Sequence, residues 1–220
     1  MKKQNRFNNF GFWFRNSLNI FKMNIREFCY SATNPISAQI KMLSRKKDKP
    51  FYKKINVYVD RDYNLYGEPM SEDTTHQMDV AIEPITKLEY PYSDEQLEDF
   101  FKTVFGLCFS YYVEHDTLVN TRNNPKKKMS PFEKYMKARS WKAAVKDFGL
   151  ININWYKDEG YRVSITWQDA KMKNAFSCIG WEKDTVVPTD YQNCELAKSF
   201  RKTLDVLAIG PYDKNPYEDE

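Results

Sequence analysis

A chain of 220 residues with 41% hydrophobic and 16% aromatic content carries enough apolar side chain for a real core and is not composed like a disordered protein. Its glycines number only 7, and neither GxxxxGK(S/T) nor GxGxxG occurs, which excludes the usual glycine-rich phosphate loops. The net charge of +4 hides a division: residues 1–54 hold 13 Lys/Arg against Glu27 and Asp48, whereas the remaining residues hold 21 basic against 28 acidic side chains.

Taken in order, residues 1–28 mix Phe7, Phe10, Phe12, Trp13, Phe14 and Phe21 with basic residues. Such a mixture either tracks a nucleic-acid backbone and stacks bases or packs as an amphipathic segment on the body. Residues 41–54, KMLSRKKDKPFYKK, read as a basic loop. Ile55 to Val59 alternates with period two and predicts a strand. Asp60 to Asp79, polar and carrying Gly67 and Pro69, reads as a long loop or hairpin, and Val80 to Ile82 as a second short strand before Pro84. Ser93 and Gln96 form a capping box in which Tyr92 can staple onto Leu97. The stripe Leu97, Phe100, Phe101, Val104, Phe105 and Cys108 repeats at helical spacing and predicts a buried helix face.

Lys126 to Lys128 after Asn123-Asn124-Pro125 marks an exposed loop. Ser130, Pro131 and Glu133 give a second capped helical segment, stopping at Gly149. Ile151, Ile153 and Trp155, then Tyr161, Val163, Ile165 and Trp167, flank Asp158-Glu159-Gly160 with period two. They predict an antiparallel hairpin over residues 151–167. Phe176 to Trp181 and Thr185 to Val187 can extend its sheet. Pro188 opens a helix whose inward stripe is Leu196, Phe200, Thr203, Leu204 and Leu207, and its start echoes the one at Ser93. The expected architecture is a single α+β (or α/β) domain with a central mixed sheet flanked by helices. A basic aromatic segment (1–54) precedes a body (55–209) and an acidic, frayed tail (210–220).

The chemistry-bearing residues are few. His76 and His115 are the only histidines, and neither has a nucleophile or an orienting acid nearby in sequence. Cys29, Cys108, Cys178 and Cys194 show no CxxC spacing, so reduced and mostly buried thiols are expected, with no metal and no cofactor. Asp60, Asp62, Glu68, Glu72, Asp73 and Asp79 lack the DxDxDG spacing of a calcium loop. No apolar run reaches about 18 residues, so no membrane span is expected. With no signal-peptide pattern at its start, the chain reads as cytoplasmic. What remains is a non-catalytic binding protein. Aromatics sit beside acids at two turns: Trp155, Tyr156, Asp158 and Glu159 in one, Trp181, Glu182 and Asp184 in the other. Aromatic area with carboxylate steering suits a basic protein partner. Each tryptophan has the alternative of packing on the sheet.

The pieces YPYSDEQLEDFFKTVFGL, FEKYMKARSWKAAVKDFGLININW and VVPTDYQNCELAKSFRKTL fall in an order, over about residues 85–207, that resembles bacterial contact-dependent growth inhibition immunity proteins. Leu196-Ala197 stands where that family usually carries Leu-Gly. The resemblance implies a cytoplasmic inhibitor that binds and blocks a cognate toxin domain, often a nuclease. Nuclease clefts are basic because they hold phosphates, so an acidic, aromatic-tipped domain can plug one. The competing expectation is a phage- or mobile-element-encoded protein that contacts nucleic acid or a nucleoprotein assembly through residues 1–54.

Overall fold

The chain divides into two units, Met1–Lys49 and Pro50–Glu220. The computed structural model describes residues 52–74, 78–113, 129–172, 174–180 and 183–218, all in the second unit. His76, His115, Cys29, Trp181, Glu182 and the basic aromatic stretch before Tyr52 therefore lie outside the described residues.

The unit is an α+β domain built on one sheet. Strands β1 (Tyr52–Val59), β2 (Leu65–Glu72), β3 (Asp79–Ala81), β4 (Thr86–Leu88), β5 (Gly149–Tyr156), β6 (Gly160–Asp169) and β7 (Ala175–Cys178) supply most of it. Two short strands, β8 (Thr185–Val187) and β9 (Pro211–Tyr212), complete it. The order is β3-β2-β1-β5-β6-β7, with β4 on β2 and both β8 and β9 on β6. Every pairing is antiparallel except β6 with β9, so the sheet is mixed only at that edge.

The expected hairpin is present, with Ile151 opposite Ile165 and Ile153 opposite Val163. Alternation along β1 and β5 sends Ile55, Val57, Val59, Ile151 and Ile153 to one face, and all five are fully buried. That face packs under α1 (Asp94–Leu107) and α4 (Glu195–Asp205) through Leu97, Phe101, Val104, Leu196 and Phe200. The opposite face carries Tyr58, Tyr66 and Leu150. It packs under α2 (Pro131–Tyr135) and α3 (Trp141–Val145) through Phe132, Ala144 and Val145.

Two of the three expected helix starts form as read. Ser93 Oγ accepts from the Gln96 amide at 3.2 Å while Gln96 Oε1 accepts from the Ser93 amide at 2.7 Å. Ser130 and Glu133 do the same at 3.1 and 2.9 Å. The segment after Ser130 is two short helices rather than one, and Gly149 begins β5 instead of ending a helix. The third start differs. The helix expected from Pro188 begins at Glu195, and Cys194 ahead of it has left-handed backbone and makes no side-chain cap. The cap comes from another helix: Glu98 Oε1 on α1 accepts from the Ala197 amide at 2.9 Å. Tyr191 donates its hydroxyl to the same carboxylate, and left-handed backbone at Asn193 and Cys194 interrupts helical geometry ahead of Glu195.

The tail also departs from the frayed expectation. Pro211 and Tyr212 pair with Gln168 and Asp169, and Tyr217 Oη accepts from the Ala208 amide at 2.7 Å. An aromatic hydroxyl with a part-buried backbone donor anchors a segment whose composition alone reads as loose. Among the described residues, no helix is long and apolar enough to cross a membrane.

Candidate partner-binding surface

The end of the sheet at the β5–β6 turn is assembled from residues far apart in the chain. Cross-strand register places Lys53 opposite Trp155, and Trp155 opposite Tyr161. Trp155 is half-buried and packs against the main core, so its indole contributes more to the fold than to an exposed tip. Tyr156 stacks on Tyr52, with ring centroids 6.4 Å apart. Tyr52 meets Phe109 edge-on at 6.0 Å, and Phe109 meets Tyr112 at 6.1 Å. An aromatic strip thus runs from β5 across β1 to the chain leaving α1. Tyr52, Phe109 and Tyr112 were not singled out in the sequence, because nothing in their separate neighbourhoods announces that they meet.

Asp158 and Glu159 are exposed in the turn. β8 runs antiparallel beside β6, pairing Tyr161 with Val187 and Val163 with Thr185, which brings Asp184 back to the same end of the sheet. The Arg162 guanidinium lies 3.6 Å from Glu159 and 3.7 Å from Asp184. One cation therefore ties the turn to the lead-in of β8. The Asp184 side chain is only 10% exposed against 63% for Glu159, so Asp184 faces inward as a clamp and Glu159 keeps an outward edge. Of the seven residues expected at this surface, Trp155, Tyr156, Asp158, Glu159 and Asp184 fall at one end of the sheet. Trp181 and Glu182 lie outside the described residues.

A second polar feature lies on the face under α2. Glu68 is buried, and its Oε2 accepts from Asn56 Nδ2 at 2.9 Å and from Tyr58 Oη at 3.0 Å. Asn152 Nδ2 continues the row onto Asn56 Oδ1 at 3.2 Å. The Asn56 amide, the Tyr58 hydroxyl and the Phe132 backbone amide all ease the charge on Glu68. Burial dominates and pushes the Glu68 carboxyl up. A carboxyl whose value is raised in the fold contributes stability that is fully present below the ordinary glutamate range. That contribution is lost as pH rises through the higher value in the folded state. Glu68→Gln should therefore flatten the decline in melting temperature between acidic and neutral pH. Melting curves of both proteins across that range check it, and parallel curves would show that Glu68 is already ionised in the fold.

Among the described residues, no three His, Cys, Asp or Glu side chains gather as a metal site. Cys108 is buried, its thiol donating to the Lys54 carbonyl at 3.2 Å, and burial pushes it up. Cys178, by contrast, is exposed, which departs from the expectation of mostly buried thiols.

The fold has a solved counterpart. A protein of unknown function from Neisseria meningitidis superposes with a TM-score of 0.52 at 13% identity, over 72% of this chain and 96% of that one. At that identity the likeness is one of fold alone. No family model matches the chain, and no curated protein matches it.

Proposed function

We propose that this chain is a non-catalytic binding protein of the immunity type, which occupies the basic cleft of a cognate toxin domain, a nuclease being the class its charge suits best. The observation that carries this reading is the Arg162 bridge between Glu159 and Asp184 beside the Tyr156–Tyr52–Phe109–Tyr112 strip. A hairpin tip pinned to its neighbouring strand is preorganised, so little ordering cost attends docking. Aromatic rings supply desolvated area, and Asp158 and Glu159 supply steering toward a positive surface.

The test is the double charge reversal Asp158→Lys with Glu159→Lys. Exposed turn charges rarely carry more than about 0.5 kcal/mol each, so the fold should survive. Association with a cognate toxin domain should slow and lose much of its salt dependence, and the variant should protect cells poorly. A double variant that captures and protects as well as the unmodified protein would remove this edge from consideration.

The charge excess of residues 1–54 favours a second reading, in which that segment contacts nucleic acid. Heparin or duplex DNA retention separates the two. A nucleic-acid contact weakens by roughly 0.9 log unit per log unit of salt for each phosphate neutralised.

A further inference from the structure

A cleft of about 520 Å³ opens between α1, α4 and β6, lined by Phe105, Gly106, Tyr161, Tyr191, Glu98 and Lys53 among others. It belongs to the same end of the sheet as the turn, because Tyr161 and Lys53 are the two cross-strand neighbours of Trp155. Its wall is a run of edge-to-face rings: Phe105 to Tyr161 at 5.6 Å, then Tyr161 to Tyr191 at 5.6 Å. The Glu98 carboxylate stands at the end of that run, fixed by Tyr191 and by the Ala197 amide.

We propose that this cleft is an anchor pocket for a basic side chain, arginine above all, presented by a protein partner. The inference rests on the binding-protein reading and names the group that partner inserts. Two features of the cleft favour a cation. Aromatic faces attract a guanidinium within about 6 Å of their centroids. Glu98 offers a carboxylate already held in place, and its two bound donors leave lone pairs for a charge-assisted bond. Two lysines also line the cleft. Lys53 donates to the Phe105 carbonyl at 2.9 Å, so its ammonium is bound to the wall. Lys102 is exposed and, among the described residues, forms no ion pair with Glu98 or Asp99.

Gly106 is an independent sign that the space is kept open. It lies in the last turn of α1, and a Cβ built on it meets nothing within 4 Å. Nothing steric demands glycine there. Gly106 lines the cleft, so the absence of a side chain there leaves that part of its rim unfilled.

The experiment needs no toxin. N-acetyl-arginine amide is titrated into the full chain and followed by amide NMR, with N-acetyl-leucine amide and N-acetyl-aspartate amide as comparisons. Saturable shifts at Gly106, Tyr161 and Tyr191 are expected with the arginine compound alone. Glu98→Gln keeps an acceptor for Ala197 and removes the charge, so it should weaken binding by about tenfold, the scale of one charge-assisted hydrogen bond. Gly106→Leu should abolish the shifts while leaving thermal stability equal or higher. Absence of saturable shifts, equal response to leucine amide, or undiminished binding in a folded Gly106→Leu protein would each overturn the pocket. Such a result would leave the turn surface standing, because charge reversal at Asp158 and Glu159 tests that surface separately.

Discussion

Gly160→Ala should destabilise the protein by about 3 kcal/mol or more and detach β8 from the sheet. Gly160 has φ of +93°, a region an L-residue enters at a cost of about 1–3 kcal/mol. A Cβ there would also stand 2.2 Å from the Val187 carbonyl oxygen and 2.8 Å from the Thr189 amide nitrogen. Both are backbone atoms, so no rotamer change relieves the contact, and an overpacked site of this kind adds about 1–3 kcal/mol. The relief open to the chain is to move β8 away from Tyr161. That separates Asp184 from Arg162 and unpins the turn from its neighbour. Urea denaturation should show the loss in midpoint, and hydrogen exchange should show it concentrated at residues 161–163 and 185–187. An alanine variant within about 1 kcal/mol of the unmodified protein, with those amides still protected, would mean that β8 is not held as described. Because the turn is also the proposed docking edge, partner association should fall in the same variant even at temperatures where the domain stays folded.

What could be read in the sequence was what is decided locally. The β5–β6 hairpin follows from a period of two on either side of Gly160, and α1 from a capping box ahead of a helical stripe. Leu97, Phe101, Val104, Phe105, Ile153, Ile165, Phe200 and Leu204 are all buried, as that patterning predicts. β2 was obscured by its composition. LYGEPMSE contains a glycine, a proline and two glutamates, yet all but Glu72 are buried. The glycine has a steric cause: a Cβ on Gly67 would lie 2.5 Å from Val104 Cγ2, so its absence lets α1 rest on the sheet. The start of α4 was missed because its cap is Glu98, about a hundred residues upstream, and a single sequence does not show a cap donated across a fold. The surface was legible in part for the same reason. Tyr156, Asp158 and Glu159 are neighbours in sequence, but Tyr52, Phe109 and Tyr112 join them only through the β1–β5 register and the end of α1. Arg162 lies within β6, and its bridge from Glu159 to Asp184 depends on the β6–β8 pairing.

Phe132→Ala should cost about 3–5 kcal/mol at acidic pH, the range for emptying a buried aromatic site. Phe132 is fully buried and stacks on Tyr58 at a centroid distance of 3.9 Å, with Phe148 at 5.2 Å and Tyr66 at 6.3 Å. Its helix, α2, has five residues and is far too short to persist without a tertiary anchor. Losing the ring should therefore loosen the helix as well as leave a cavity. A second effect follows from the neighbour of Tyr58. Glu68 is buried under the same cluster, and desolvation is the main cause of its raised carboxyl value. Water admitted beside Tyr58 would hydrate that carboxylate and move its folded-state value back toward the ordinary one. The unmodified protein loses stability as pH rises through the raised value, whereas the variant has less of this contribution to lose. The cost of Phe132→Ala should accordingly shrink from acidic to neutral pH, although the variant stays the less stable protein throughout. Paired urea denaturations at the two pH values measure the difference directly. A cost that is the same at both, or that grows with pH, would sever the link between the aromatic cluster and the buried carboxyl.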